Sequence, residues 1–286
     1  MDSASLAPTD IATNSSGADP QAVFKNARRI VVKVGTTTLT HASGRTNFRE
    51  MDALVRVIAD LQNQGHLMTL VTSGAIGVGV GKLGLSGRPK DITGKQAAAT
   101  VGQCELMFIY DKMFSEYGQK IGQLLITKAD VEHPVRHSNL VGTMERLLDW
   151  GVIPVINEND AVANEEIVYG DNDSLSAIVA RLIHADKLII LTDIDGLYDS
   201  NPKTNPDARL IRKVEAITPD IRALARDSGS SLGTGGMITK LQAAELATSA
   251  GIETYVINGE PVNNIYSVLE GKNPGTWFKA VQHHVE

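Results

Sequence analysis

The sequence predicts an α/β chain, a three-layer αβα sandwich around a mostly parallel central sheet, on three observations. From about Asn26 onward, short apolar runs alternate with stretches of helical periodicity, the pattern of successive βαβ units. The runs are continuous rather than alternating, as strands covered on both faces are. Polar and glycine-rich segments follow them, at the strand ends where open α/β sheets bind ligands.

Arg29 to Val34 is the first predicted strand. Met51, Leu54, Val55, Ile58 and Leu61 recur at three and four residues, which predicts an amphipathic helix over 48–63 ending near Gly65. Leu67 to Val71 is a second strand, Ile76 to Leu83 begins a helix, and Gly94 to Tyr117 forms a long one whose Ala-rich and apolar faces suit a core or a subunit contact. A strand follows at Ile121 to Ile126, then a helix over Asn139 to Asp149 closed by Gly151, then a buried strand through Val152, Ile153, Val155 and Ile156. Ser174 to Ile183 reads as a helix directly after Asp173, and Leu188 to Leu191 as another buried strand. Asp199 to Arg209, with Pro202 and Pro206, is a turn-rich excursion. Met237 to Ala250 is a helix stopped by Gly251, and Thr254 to Ile257 a last strand. With no repeat and no internal linker, the expected organisation is a disordered tail over residues 1–25 and one catalytic domain over 26–286.

The bulk properties exclude several classes. At 286 residues and 42% hydrophobic, the chain is long enough to bury roughly 75% of its unfolded surface. A net charge of −6 and a pI near 5.7 provide no electrostatic footprint for nucleic acid. The single cysteine, Cys104, cannot close an intramolecular disulfide, and a reducing cytoplasm is expected. His133 and His137 are four residues apart, but Pro134 is read as breaking the helix that would align them as metal ligands. The first twenty residues hold no Lys or Arg and no apolar core, so they match neither a signal nor a transit peptide. No apolar run approaches the ~18 residues that span a bilayer.

Candidate chemistry gathers at the strand ends. From Pro154 the chain reads P-V-I-N-E-N-D-A-V-A-N-E-E-I-V-Y-G-D-N-D to Asp173, crowded with carboxylates and asparagines after an apolar strand. Asp accepts from an ammonium and Asn donates to a carboxylate, so Asn157 to Asp160 suit an α-amino acid; a long solvated loop with Asx turns is the plainer alternative. Lys33 leads into Gly35-Thr36-Thr37-Thr38, Thr72-Ser73-Gly74-Ala75 leaves strand two, and Thr234-Gly235-Gly236 opens the helix that carries Lys240. Each offers backbone N–H groups or a lysine to phosphate oxygens. Gly79-Val80-Gly81-Lys82-Leu83-Gly84 satisfies the dinucleotide fingerprint literally, yet lies about eight residues beyond the strand end instead of at the strand-to-helix turn. It also fails as a P-loop, because Ile76 and Leu83 stand where a glycine and a Ser or Thr belong.

The stretches V-V-K-V-G-T-T-T-L, V-T-S-G-A-I, P-V-I-N-E-N-D-A-V-A, G-D-N-D-S-L-S-A, L-T-D-I-D-G-L-Y and G-T-G-G-M-I-T-K-L-Q-A-A run in order from residue 31 to residue 244. In them the chain resembles the glutamate 5-kinases of the amino acid kinase family; N-E-N-D and G-D-N-D are the most specific elements. The resemblance implies that Lys33 and Lys240 contact phosphates and that Asp173 positions both lysines. It puts Ser73, Asp160 and Asn172 on glutamate-binding positions, with Asn157 and Asp171 as neighbours. Thr192, Asp193 and the stretch Thr234, Gly235, Gly236, Met237, Ile238, Thr239 and Lys240 fall on ATP-binding positions. The implied reaction is phosphorylation of the γ-carboxylate of L-glutamate by ATP, the first step towards proline, with Mg²⁺. Such proteins are commonly homo-oligomers inhibited by proline. Many bacterial relatives append a C-terminal PUA domain, which is not expected here because the sequence stops at Glu286. Outside catalysis, two other readings remain at this level: an amino acid sensor built on the same pocket, and a protein that acts by association through the long helix.

Overall fold

The computed structural model describes residues 28–41, 45–163, 172–227 and 236–281; the expected N-terminal tail lies outside them. In chain order the elements are β1 (Arg29–Lys33), α1 (Thr36–Leu39), α2 (Phe48–Asn63), β2 (Leu67–Val71), α3 (Ala75–Leu83), α4 (Ile92–Glu116) and β3 (Ile121–Ile126). Then come α5 (Lys128–Glu132), α6 (Pro134–Asp149), β4 (Ile153–Glu158), α7 (Asn172–Leu182), β5 (Lys187–Thr192) and β6 (Lys213–Val214). The last are α8 (Pro219–Asp227), α9 (Met237–Thr248), β7 (Glu253–Asn258), α10 (Asn264–Leu269) and β8 (Thr276–Phe278).

Apolar strands need cover on both faces, and the sheet gets it. Its eight strands lie in the order β3-β4-β2-β1-β5-β7-β8-β6, all neighbours parallel except the antiparallel pair β7 and β8. Successive residues of β1 face opposite layers. Ile30 and Val32 join one core with Leu54 and Ile58 of α2, Leu106, Tyr110 and Phe114 of α4, and Val268 of α10. Val31 joins the other with Met144 of α6, Leu175 and Val179 of α7, and Leu241 and Ala244 of α9. Each such fully buried side chain stabilises the fold by about 1.5–3 kcal/mol. The three-layer expectation is thus met.

The strand order sets the position of the site. From β1 the chain passes to β2 on one side, then to β3 at the edge, and returns with β4 between β3 and β2; α7 then carries it back across to β5 on the other flank of β1. The two halves of the sheet part between β2, β1 and β5, and a crevice opens outside the carboxyl ends of strands at such a switch.

Several boundaries differ from the sequence reading. Helix α6 starts at Pro134, five residues before the expected Asn139. Pro134 opens the helix, where a missing N–H has no intrahelical partner to lose; the reading of this proline as a break between His133 and His137 is corrected, since the His137 N–H donates to the His133 carbonyl at 2.9 Å. Helix α4 starts at Ile92, because the Asp91 side chain accepts from the Gly94 N–H at 2.7 Å and caps it. Thr254 to Ile257 is not the last strand: β8 follows it, and β6 joins the same edge. With only two residues in β6 and three in β8, neither shows a periodicity of its own.

Of the glycines that imitate a dinucleotide fingerprint, Gly79 serves helix packing and Gly84 caps the end of α3. A Cβ on Gly79 would stand 1.8 Å from the Ala98 carbonyl oxygen, and one on Gly102 would stand 1.8 Å from that of Ala75, so α3 and α4 cross with backbones touching. Gly102→Ala is expected to destabilise the protein by about 2 kcal/mol or more through overpacking, seen as a lower urea midpoint. Gly142, exposed on α6 with nothing within 4 Å of a Cβ, provides the control, since Gly142→Ala should stabilise by roughly 0.5–1 kcal/mol.

Candidate active site

Lys33 ends β1 at the centre of the sheet, and α7 starts beneath the same edge. The Lys33 Nζ lies 2.6 Å from Asp173 Oδ1, and the Lys240 Nζ of α9 lies 3.1 Å from Asp173 Oδ2. All three are buried, with relative exposures of 4% for Lys33, 7% for Lys240 and 0% for Asp173. The Thr239 hydroxyl is 2.9 Å from Asp173 Oδ2 and 2.8 Å from the Gly236 carbonyl oxygen. A carboxylate withdrawn from water this completely requires compensating charge, and its place in the first turn of α7 adds the favourable end of the helix dipole.

The residue before it faces the other way. The Asn172 Nδ2 lies 2.6 Å from the Thr72 carbonyl oxygen, 3.0 Å from Ser73 Oγ and 2.8 Å from Asn157 Oδ1. Its two protons therefore serve three acceptors at the exits of β2 and β4. Asn157 Oδ1 also accepts from the Glu158 N–H at 2.9 Å, so the Asn157 amide must turn its nitrogen outward, and it donates to Gln103 Oε1 at 2.8 Å. Asp160 follows in the turn after β4. Burial pushes its carboxyl above the ordinary carboxylate range, and the positive charge of Arg88 acts against that shift.

Glycine lets two strand exits meet. Gly74 caps α3 at φ +93°, a left-handed conformation that side chains oppose, and a Cβ there would come within 3.5 Å of Thr36. The exit of β2 thus lies against the exit of β1. On the other flank Thr192 ends β5, buried, with its hydroxyl 3.2 Å from Asp193 Oδ1. Gly236 caps α9, where Met237 is buried and Ile238 is exposed.

Of the expected site residues, Lys33, Asp173, Thr239 and Lys240 form one group joined by ion pairs and hydrogen bonds, while Ser73, Asn157 and Asn172 form a second, hydrogen-bonded one. Asp160 lies beyond β4, two residues after Glu158, and Thr192 and Asp193 on the opposite flank of β1. Asp171, Thr234 and Gly235 lie outside the described residues.

Sequence reasoning missed a stripe of α4. Gln96, Gln103 and Tyr110 are spaced by seven residues and so share one face of the helix. Gln96 Nε2 donates to the Ala163 carbonyl at 3.1 Å, Gln103 accepts from Asn157, and the Tyr110 hydroxyl is 2.9 Å from Thr72 Oγ1. Complete burial raises the Tyr110 phenol pKa, which keeps it protonated. The available signal was hydrogen-bonding side chains at heptad spacing in a helix otherwise rich in alanine and apolar residues.

Known proteins match this architecture. The profile of the amino acid kinase family matches residues 28–258. The glutamate 5-kinase of Clostridium tetani is 53% identical over 259 residues, covering 91% of this chain and 97% of that protein. Its counterpart in Listeria innocua is 50% identical over 89% of this chain and 94% of that one. Among solved structures, the carbamate kinase from Giardia lamblia bound to AMP-PNP gives a TM-score of 0.64 over 89% of this chain and 99% of its own, at 15% identity. The UMP kinase from Ureaplasma parvum gives 0.59 over 88% and 99%, at 19% identity. At such identities these two structures speak for the fold, whereas the half-identical relatives speak for the branch. The chain belongs to the amino acid kinase family and, within it, to the glutamate 5-kinases.

Proposed function

We propose that the chain transfers the γ-phosphoryl group of ATP to the γ-carboxylate of L-glutamate, giving L-glutamyl 5-phosphate and ADP, the first step of proline biosynthesis. The observation that carries this reading at the site is that neighbouring residues of one helical turn, Asn172 and Asp173, face an amide cluster and a lysine pair respectively. One half suits an amino acid and the other a polyphosphate.

A glutamate side chain has a pKa near 4.3 and is already an anion at neutral pH, so the attack needs no general base. Repulsion is the obstacle, because a carboxylate must approach a triphosphate of about four negative charges. In our reading Lys33 and Lys240 offset that charge around the transferred group and the β–γ bridge, and Asp173, held by Thr239, fixes where both ammonium groups stand. On the glutamate side Ser73 and Asn157 donate to the carboxylates of the acid, Asn172 orders both of them, and Asp160 receives the ammonium, with Asp171 as a second acidic residue for it. Thr192, Asp193 and residues 234–240 form the nucleotide side.

Magnesium fits this scheme as a passenger of the nucleotide. Among the described residues no three His, Cys, Asp or Glu side chains gather into a metal cage, so the ion would be held chiefly by phosphate oxygens, as Mg²⁺ commonly is. There it would neutralise phosphate charge. We extend the reading to a cytoplasmic homo-oligomer under proline feedback. Phe108, Val135 and Trp150 are large apolar side chains left exposed, each available to a subunit contact.

The deciding experiment is ATP-dependent hydroxamate formation with Mg²⁺ and hydroxylamine. Product is expected with L-glutamate and not with aspartate or N-acetylglutamate; no product from folded protein would overturn the reading. Lys33→Ala and Lys240→Ala should each lower kcat by about 10²-fold or more, and full turnover by either would remove that lysine from the mechanism.

Asp160 separates function from stability. Because burial raises its folded-state pKa, the native chain keeps this proton to higher pH than the unfolded chain does. The associated stability is present below the ordinary carboxylate pKa and is lost as pH rises through the folded one. Asp160→Asn should therefore raise the KM for glutamate while melting no lower than the parent at pH 7. Its margin over the parent should shrink as pH falls into the carboxylate range, which thermal melts across pH would reveal.

A further inference from the structure

We propose that Gln103 binds the acidic substrate directly, its Nε2 donating a hydrogen bond to a carboxylate oxygen of the bound acid; this rests on the reading of the amide cluster as the glutamate half of the site. Gln103 lies on the face of α4 that reaches the exits of β2 and β4, and it is more than nine-tenths buried, with 8% exposure. Its orientation is dictated by its neighbours. Asn157 Oδ1 is already occupied by the Glu158 N–H and by Asn172 Nδ2, so Asn157 can only donate towards Gln103. Gln103 must then present its oxygen to Asn157, which it does at 2.8 Å, and turn its nitrogen elsewhere.

Among the described residues that nitrogen has no hydrogen-bond partner. Leaving a buried amide donor unsatisfied costs about 1–3 kcal/mol, and holding Asn157 requires only the oxygen. A carboxylate is the natural occupant: it has acceptors alone, and the Ser73 hydroxyl, which accepts from Asn172 Nδ2 at 3.0 Å, keeps its own proton as a donor of the same neutral kind. A neutral amide donor also leaves Asp160 uncontested as the anion for the substrate ammonium. Gln103 is in this way a binding residue for the acid, in addition to being a support for Asn157.

The two roles separate by substitution. Gln103→Glu keeps an oxygen for Asn157 and replaces the donor with an acceptor. The expected result is a KM for glutamate about tenfold higher or more, the scale of a lost hydrogen bond to a charged group, with an unchanged KM for ATP. The defect should shrink as pH is lowered, because the introduced carboxyl is again a donor once protonated, and the thermal upshift produced by glutamate alone should weaken in parallel. A wild-type KM for glutamate in Gln103→Glu, alongside a raised one in Gln103→Met, would overturn the proposal and leave Gln103 as a support only. If Gln103→Glu does not fold, Gln103→Met decides: an unchanged glutamate upshift overturns direct binding, and its loss with an intact ATP upshift upholds it. Parent protein assayed alongside keeps the two readings apart. Glutamate turnover by the parent with an unaffected Gln103→Glu refutes only this inference, whereas no turnover by the parent refutes both.

Discussion

A carboxylate with no exposure to water cannot stand alone, and the arrangement of the strand exits follows from how Asp173 is neutralised. Its two oxygens reach in different directions, Oδ1 to Lys33 and Oδ2 to Lys240 and Thr239. One lysine belongs to the central strand and the other to a helix that enters the chain some two hundred residues later. The ion pairs therefore tie β1, α7 and α9 to one point. Burying such a group is expensive, and breaking a buried pair commonly costs about 3–5 kcal/mol because the remaining charge is stranded. On the proposed reading, the same low-dielectric surroundings that make the trio costly would make its ammonium groups effective towards phosphate.

The second half of the site obeys a gentler rule. Amides and hydroxyls are neutral, so Asn172, Asn157, Ser73 and Gln103 can be packed together provided each donor finds an acceptor. Three of the four are matched to one another or to backbone, which fixes their rotamers before any ligand arrives. Helix α4 backs this arrangement with a row of polar side chains, while its glycine at position 102 brings it against α3. The helix thus packs closely with one face and organises the crevice with another.

Much of this was legible in the sequence because long apolar strands announce themselves. The runs at 29–34, 67–71, 121–126 and 188–191 became β1, β2, β3 and β5 with edges shifted by a residue or less. The short β6 and β8 were not legible, since two or three residues show no period, and β8 depends on β7 for pairing while β6 depends on β8. The lysines were visible as polar residues closing or following apolar segments, but no local pattern reveals that Lys33 and Lys240 share one carboxylate; that contact exists only once α7 crosses the sheet. Gln103 stayed hidden for a different reason. A helix is read by its apolar stripe, and a polar side chain on its inward face is silent until its partner on β4 is known.

The adjacency of Asn172 and Asp173 has a geometric consequence. Consecutive Cα atoms are about 3.8 Å apart across a trans peptide, a spacing that no breathing of loops or sliding of layers alters. With one residue of the pair assigned to the acceptor and the next to the donor nucleotide, the separation between the reacting partners is referenced to a covalent ruler rather than to the tolerance of tertiary packing. The exits of β2 and β4 could then be remodelled to admit a different acid while the phosphate side stayed in register. A fold organised in this way can diversify its acceptors without having to rebuild its chemistry.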